Sequence, residues 1–350
     1  MKKIALLLII VGFVGMVVSG TAVFSDSNVA EINEQKTVTA EESKDIQNIN
    51  IQSSSIQHII LEATDSEEIQ VSLEGTLSQS EKENMEFEVE SKQDTLYVNV
   101  STTQNILSIV NIDGIGSLIN VIQNNEHRST LHITIPNKVY DAVEIDTYST
   151  DIEVQQVHSN DFISHTSSGN QHISAVQADD QFEVKSSSGD IKISTINTED
   201  MLVKASSGNI TAQEVEGVQI QLHTSSGTIS LEQMDSKQIE LHTSSGDIEA
   251  EDIVAEDITT KVTSGDIEIE NKALKGNIYA KATSGDVNLT FEDPIASITL
   301  DYDGSSGSID QNIDGLTNEK NGDHAFFGTK NDGAFEVKVR TTSGDFTLDN

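Results

Sequence analysis

The sequence contains no cysteine among its 350 residues. This absence excludes a disulfide framework, a thiol nucleophile, zinc sites built from thiolates and lipid attachment through an N-terminal cysteine. Basic residues are also scarce, because 20 Lys and Arg stand against 58 Asp and Glu and give a formal net charge of -38. Nucleic-acid binding needs concentrated positive charge, so the composition argues against a nucleic-acid partner.

Catalytic motifs are absent as well. The chain has no GxSxG, no HExxH and no phosphate-binding loop. The paired catalytic acids of a glycosidase would have to stand out from the surrounding pattern, and none does. We therefore expect no enzyme activity and no cofactor, and we keep a carbohydrate-active β-helix enzyme as the weaker alternative, since a fold does not bring its chemistry.

An uncharged segment opens the chain. Two lysines precede an apolar run over residues 4–24, and this order places the N-terminus in the cytoplasm and the rest outside. The run is long enough to span a bilayer, whereas a Gly-Thr-Ala triplet near its end would suit a signal-peptide cleavage site. We favour a retained single-pass anchor within residues 1–24 over secretion after cleavage. The polar residues 25–47 are interpreted as a flexible linker.

One short motif dominates residues 48–350. The stretch HTSSGDIEA, residues 242–250, recurs in close copies whose glycines are mostly 19 or 20 residues apart. Apolar residues alternate with polar ones on both sides of each glycine, which is the period of a β-strand on either side of a corner. The corner glycines are Gly169, Gly189, Gly208, Gly227, Gly246, Gly265, Gly285 and Gly344. We expect them to be structural, because glycine tolerates a positive φ angle, and we expect the preceding serines to bond neighbouring corners.

The period of the repeat predicts an all-β fold. A unit of this length, at about 3.3 Å per residue, supplies three short sides and their corners but not a helix plus a strand. We therefore predict a single-stranded β-solenoid, β-helix-like and right-handed, with about 19 residues per coil. A meander of antiparallel hairpins is the competing layout, because Ser-Gly-Asp also suits a tight turn.

Two segments break the repeat. Residues 104–128 are rich in Ile, Leu and Val without a clean period, and we interpret them as an apolar insertion packed on the array. The alternative is a partner-contact or membrane-surface segment, since exposed apolar patches usually mark a contact. Residues 310–334 replace the regular spacing with an irregular loop. This loop is expected to cover the last open coil, because an exposed end strand would template aggregation.

An acidic column follows the corner glycines by one residue. Carboxylates stacked about 4.8 Å apart repel each other by roughly 1 kcal/mol in water, so a run of aspartates is a place to expect a cation. The candidate cation ladder consists of Asp247, Asp266 and Asp286. The structural alternative is that Asp and Asn in turns accept local backbone N–H bonds. The chain also lacks the known calcium-binding repeats.

A basic column precedes the corner glycines by four residues, on the outward side of the strand. We call it the interaction stripe, and its members are His165, Lys185, Lys204, His223, His242, Lys261, Lys281 and Arg340. The structural interpretation is charge balance with outward acids such as Glu183 and Glu240. The functional interpretation is a surface for an anionic polymer of the cell wall or for the acidic surface of a neighbouring protein. His223 and His242 could also bind a transition metal, but two histidines without a third ligand are a weak signal.

Three stretches carry a resemblance to a known family: LHITIPNKVYDAVEID, the repeated SSGDI units and the closing FFGTKNDGAFEVKVRTTSGDFTLDN. Over residues 48–350 the chain resembles the bacterial "putative adhesin" family of LiaG-like proteins, a domain of unknown function. The resemblance implies a solenoid on an exported, often membrane-anchored protein that is linked to envelope maintenance, and it supplies no binding residue. We therefore expect a non-enzymatic interaction or scaffold module of the cell envelope. The alternative is an accessory regulator of an envelope-stress signalling system.

Overall fold

A computed structural model describes residues 29–102, 128–322 and 324–350. The chain divides into two compact units, residues 1–159 and 160–350. The described residues are mostly in β-strands, which confirms the predicted all-β class.

Two of the predicted segments lie outside the described residues. These are the anchor over residues 1–24 and the apolar insertion over residues 104–128, of which only Arg128 is described. Within the described ranges, no helix is long and apolar enough to cross a membrane.

The first unit is built from strands and two short helices. Its elements are β1 (Val29–Val38), α1 (Ala40–Ser43), β2 (Asn48–Ser53), β3 (His58–Thr64), β4 (Ile69–Ser78), α2 (Gln79–Asn84), β5 (Met85–Lys92), β6 (Thr95–Thr102), β7 (Ser129–Pro136), β8 (Val139–Ser149) and β9 (Asp151–Gln155). Parallel pairing places β2 between β6 and β8, and β3 between β7 and β9. The first coil of the chain therefore lies between the two coils that follow it.

The predicted flexible linker over residues 25–47 is structured from Val29 onward. Strand β1 pairs antiparallel with β4 along its whole length and buries Ile32 and Val38. Helix α1 begins with a capping box, in which Thr39 and Glu42 each accept a hydrogen bond from the other's backbone N–H. The polar composition was misleading here, because a strand that pairs on one side needs only a few apolar residues on one face.

The second unit begins within β10 and consists of strands. Its elements are β10 (His158–Ser168), β11 (Gln171–Ser188), β12 (Ile191–Ser207), β13 (Ile210–Glu216), β14 (Gln219–Ser226), β15 (Ile229–Ser245), β16 (Ile248–Ser264), β17 (Ile267–Asn271), β18 (Asn277–Ser284), β19 (Val287–Phe291), β20 (Ile298–Ser306), β21 (Ile309–Gln311), β22 (Thr317–Gly322), β23 (Ala325–Lys330), β24 (Glu336–Ser343) and β25 (Phe346–Asp349).

Successive coils of the second unit pair in parallel and in register. Each residue of β15, for example, lies beside its equivalent one repeat later in β16. The inward columns form the core, in which Leu222, Ile229 and Leu241 are completely buried. This pairing confirms the predicted solenoid and rules out a meander of antiparallel hairpins for these coils.

The corner glycines have the structural role that the sequence predicts. Their φ angles lie between +140° and +154°, a region that side chains disfavour. At Gly246, the backbone N–H donates to the carbonyl oxygen of Ser264 at 3.0 Å. A Cβ atom at Gly246 would lie only 2.1 Å from the carbonyl oxygen of Gly227. The corners therefore stack too closely for any side chain.

A second corner, which the sequence did not predict, lies six residues after the glycine. It is made by residues in the left-handed conformation, with φ between +52° and +59°: Ala175, Thr195, Glu214, Gln233 and Asp252. These residues share no chemistry, so no sequence pattern marks the position. Each of these residues costs on the order of 1 kcal/mol in backbone strain, and the hydrogen bonds of the flanking strands hold it in this conformation.

The C-terminal coil is not the last coil of the stack. Strand β24 pairs in parallel with β18 on one side and with β20 on the other. Likewise β25 pairs with β19 and β21. The predicted irregular loop over residues 310–334 is instead largely an antiparallel hairpin of β22 and β23, and β23 covers the remaining edge of β20. Ordered strands therefore take the covering role that the sequence assigned to a loop.

Candidate functional site

The interaction stripe is an unbroken row of side chains in the second unit. Strand pairing places Lys185 beside Lys204, and the row then continues through His223, His242, Lys261 and Lys281 to Arg340. It crosses seven neighbouring strands: β11, β12, β14, β15, β16, β18 and β24. In the sequence, an irregular segment separates Arg340 from the other members of the stripe. Because β24 pairs with β18, Arg340 lies beside Lys281 and continues the row.

Glu183 neutralises one end of the stripe. One of its carboxylate oxygens, Oε1, lies 2.8 Å from Nε2 of His165 and 2.6 Å from Nζ of Lys185. Burial alone would raise the pKa of Glu183, but hydrogen bonds from Lys185 and His165 outweigh it and lower the pKa. Charge balance, the structural interpretation of the stripe, therefore holds at this end.

Acidic partners also lie at the other end and near the middle of the stripe. Nη2 of Arg340 is 2.5 Å from Oδ2 of Asp301, and Nζ of Lys261 is 3.4 Å from Oε1 of Glu240. The ion pair between Arg340 and Asp301 is partly buried, and Nη1 of Arg340 donates a further hydrogen bond to the backbone carbonyl oxygen of Asp301. It therefore serves chiefly to fix β24 against β20.

Four members of the stripe form no ion pair among the described residues: Lys204, His223, His242 and Lys281. The rings of His223 and His242 lie 5.9 Å apart between their centroids. Burial lowers the pKa of His223, and the neighbouring Glu240 opposes this effect. Its Nε2 atom is buried without a hydrogen-bond partner. The middle of the stripe therefore contains most of the side chains that have no ion pair.

The acidic column forms a hydrogen-bonded ladder. Oδ1 of Asp247 accepts the backbone N–H of Asp266 at 2.8 Å, and Oδ1 of Asp266 accepts that of Asp286 at 2.7 Å. Asp286 in turn accepts the N–H of Asp345. Earlier corners repeat the contact through Asn170, Asp190 and Asn209. Neighbouring corners are therefore joined by hydrogen bonds from the backbone N–H of one coil to an Asp or Asn side chain of the coil before it. These hydrogen bonds connect coils and do not lie within one turn.

In the predicted cation ladder of Asp247, Asp266 and Asp286, one oxygen of each carboxylate therefore accepts a backbone hydrogen bond from the next coil. Among the residues that the structure describes, no group of three or more His, Cys, Asp or Glu side chains is placed to hold a metal ion. This statement also covers His223 and His242, which lack a third ligand. A cation at the aspartates stays a prediction.

Asp266 provides a test of the ladder. We expect Asp266→Ala to lower the free energy of unfolding by about 1 kcal/mol, because the N–H of Asp286 loses its acceptor. Asp266→Asn should leave stability unchanged, since it keeps the acceptor and removes a repulsive charge. Urea unfolding of both variants distinguishes the roles. Equal losses in both variants would mean that the charge matters, as a cation site requires.

Two open grooves accompany these columns, and the sequence predicted neither. The larger, of about 640 Å³, follows the second corner across four coils, between exposed side chains that include Thr195, Asn197, Glu214 and Glu216. The smaller, of about 340 Å³, lies beside the stripe and is lined by Gln219, Ile220, Gln221, Gln238, Ile239, Glu240, Asp257 and Thr259. Gln221 and Glu240 precede His223 and His242 by two residues, so the smaller groove adjoins the middle of the stripe.

Several known proteins are similar to this chain. Among solved structures are a putative cell adhesion protein from Clostridium sporogenes (10% identity, 91% of this chain and 99% of that chain, TM-score 0.24) and putative adhesins from Bacteroides fragilis (12%, 91% and 97%, 0.36) and Parabacteroides distasonis (13%, 93% and 98%, 0.41). At these identities and TM-scores, the similarity says nothing about what this chain binds. No curated protein matches the chain.

A family model matches most of the sequence. The model described as Toastrack DUF4097, a domain of unknown function, covers residues 46–181 and 178–349. The two matches together span the coils of both units, and they agree with the resemblance found in the SSGDI units and in the closing segment. The chain therefore belongs to the Toastrack DUF4097 family.

Proposed function

We propose that this protein is a non-enzymatic interaction module of the cell envelope, which binds an anionic polymer along the interaction stripe. The observation that carries the proposal is the unbroken row of Lys, His and Arg across seven strands of a chain whose net charge is -38. A row of equivalent side chains offers repeated, equally spaced contacts. Such a surface suits a linear ligand better than a small molecule.

The stripe differs in charge from the surface around it. From β11 to β24 the row itself holds Lys185, Lys204, Lys261, Lys281 and Arg340 with two histidines and no carboxylate. The outward positions beside the row, as far as β20, add Lys338 and seven carboxylates: Glu183, Asp200, Glu240, Asp257, Asp301, Asp303 and Glu336. Charge complementarity therefore favours a polyanion along the row itself rather than across the whole face.

The acidic remainder of the protein does not prevent this binding at physiological salt. Charges separated by more than about 8 Å are largely screened at that ionic strength. A bound polymer then responds to the stripe rather than to acids on other faces. At very low salt the screening fails, so we expect affinity to be highest at intermediate salt.

The proposal includes export. The two lysines ahead of the apolar run over residues 4–24 support a single-pass membrane protein with its C-terminal domain outside the cell, or a secreted protein after cleavage. In either location the solenoid meets the polymers of the envelope.

Reversing the charge of two unpaired lysines tests the proposal. We expect Lys204→Glu combined with Lys281→Glu to weaken binding of polyphosphate and of polyglutamate by at least about tenfold, with little loss of stability, because neither lysine has an ion pair to lose. The control is Lys192→Glu, an exposed lysine away from the stripe. Calorimetry at moderate salt measures the affinities. No binding of either polymer, or equal binding by the double variant, would contradict the proposal.

A further inference from the structure

The middle of the stripe differs chemically from its two ends. Lys204, His223, His242 and Lys261 are consecutive in the row, on β12, β14, β15 and β16. Both ends are closed by ion pairs, whereas in the middle only Lys261 is paired, with Glu240 at 3.4 Å. Two lysines therefore flank a pair of imidazoles in the middle of the row.

His223 is the central group of this arrangement. The charged and titratable groups that face it are Lys204 from β12, Glu240 and His242 from β15, and Lys261 from β16. Its buried Nε2 atom has no hydrogen-bond partner. A buried polar atom without a partner costs free energy, and the cost is larger when the imidazole carries a charge, so an anion bound at Lys204 and Lys261 would stabilise the charged ring through its field rather than through a bond to Nε2.

An oxyanion is the ligand that fits these donors. Lysine binds phosphate as a point charge, and a protonated imidazole in the same row adds positive charge between the two lysines. A phosphodiester stays fully ionised over the whole range in which histidine titrates, whereas a carboxylate begins to protonate at the lower end of that range. The adjoining groove offers the amides of Gln219, Gln221 and Gln238 to polar linkers between phosphates, while Glu240 and Asp257 in the same lining keep the phosphates themselves on the row of cations.

We propose that Lys204, His223, His242 and Lys261 form a proton-coupled site for a phosphate-bearing polymer, with the two lysines holding the anion and His223 taking up a proton as it binds. The site deepens the proposed function, on which it rests. The polymer is of the envelope type rather than a nucleic acid, which the composition of the chain disfavours.

The direction of the pH dependence follows from the surroundings of His223. In the free protein, burial and the adjacent cations lower the pKa of His223, so the imidazole is neutral near pH 7. A bound phosphate stabilises the imidazolium and raises the pKa. Protons are therefore taken up on binding, and affinity rises as the pH falls through the range in which histidine titrates.

The test is calorimetry with polyphosphate at about pH 5.5 and about pH 8 at constant ionic strength. We expect the wild-type chain to bind about tenfold more tightly at the lower pH, since each unit of pKa change corresponds to a factor of ten. His223→Gln combined with His242→Gln should keep the binding seen at the higher pH and lose most of this ratio. His172→Gln, an exposed histidine outside the stripe, should behave as wild type.

Each outcome is informative. Absence of polyphosphate binding at both pH values would overturn the proposed function together with this inference. Binding with equal affinity at the two pH values, or a ratio that survives the double substitution, would overturn the inference alone. Polyglutamate bound as tightly and with the same ratio would overturn the assignment to phosphate. If the double variant fails to fold, His223→Gln alone should lower the ratio, and an unchanged ratio would contradict the proposal.

Discussion

Replacing Gly246 with alanine is expected to lower the free energy of unfolding by about 3–5 kcal/mol. The backbone at Gly246 has φ +140°, and an added Cβ atom would lie 2.1 Å from the carbonyl oxygen and 2.5 Å from the carbonyl carbon of Gly227. The added Cβ atom would clash with backbone atoms of Gly227, and these cannot move easily because the N–H of Gly227 donates to the carbonyl oxygen of Ser245. To remove the clash, the neighbouring coils would have to move as well.

Gly315→Ala is the matched control. Gly315 also has a positive φ, +78°, but a Cβ atom there would meet nothing within 4 Å. Its substitution should cost only about 1 kcal/mol, the backbone strain of an alanine in this conformation. Urea unfolding of the two variants separates steric stacking from backbone strain. Equal losses would refute the close approach of the corners.

Ending the chain at Phe335, without β24 and β25, is expected to release much more structure than the residues removed. Strand β24 lies between β18 and β20, so its loss leaves each of these strands with one unpaired edge. The segment from β20 to β23 then has no parallel neighbour to hold it. We expect trypsin to cleave this variant at Lys330 faster than it cleaves the wild-type chain, and the stable fragment to end before β20.

A chain that lacks only the last two residues, Asp349 and Asn350, serves as the control. It keeps β24 and most of β25, so its digestion pattern should match wild type. Mass spectrometry of the stable fragments gives the boundaries. A fragment of the shortened chain that still extends to Lys330 would show that β20 to β23 fold without β24, contrary to the prediction.

The sequence was sufficient for the coil and for the columns because the strands stack in register. When each coil repeats the previous one, a sequence period becomes a row in space, so Gly246, Ile248 and His242 could be assigned to a corner, the core and an outward row without coordinates. The second corner escaped because Ala175, Thr195 and Glu214 have nothing in common that a pattern could reveal. When a residue other than glycine adopts the left-handed conformation, the surrounding fold imposes that conformation, because the residue itself does not prefer it.

The other features that the sequence does not predict depend on pairing between distant segments. Polar composition predicted a linker at residues 25–47, yet β1 finds its partner in β4, some forty residues later. The loop predicted at residues 310–334 pairs with itself and with β20. The aspartate column was recognised, but its bonds were expected within the turn rather than to the next coil. A single sequence shows local preference, while these contacts depend on which strands the tertiary fold brings together.

The position of β24 has a consequence for how the protein is made. During synthesis, β18 and β20 emerge before β24, and each has an exposed edge with which the other could pair directly. The space between them must stay open, or reopen, until β24 has left the ribosome. Premature pairing of β18 with β20 is therefore the misfolded state that this topology makes available.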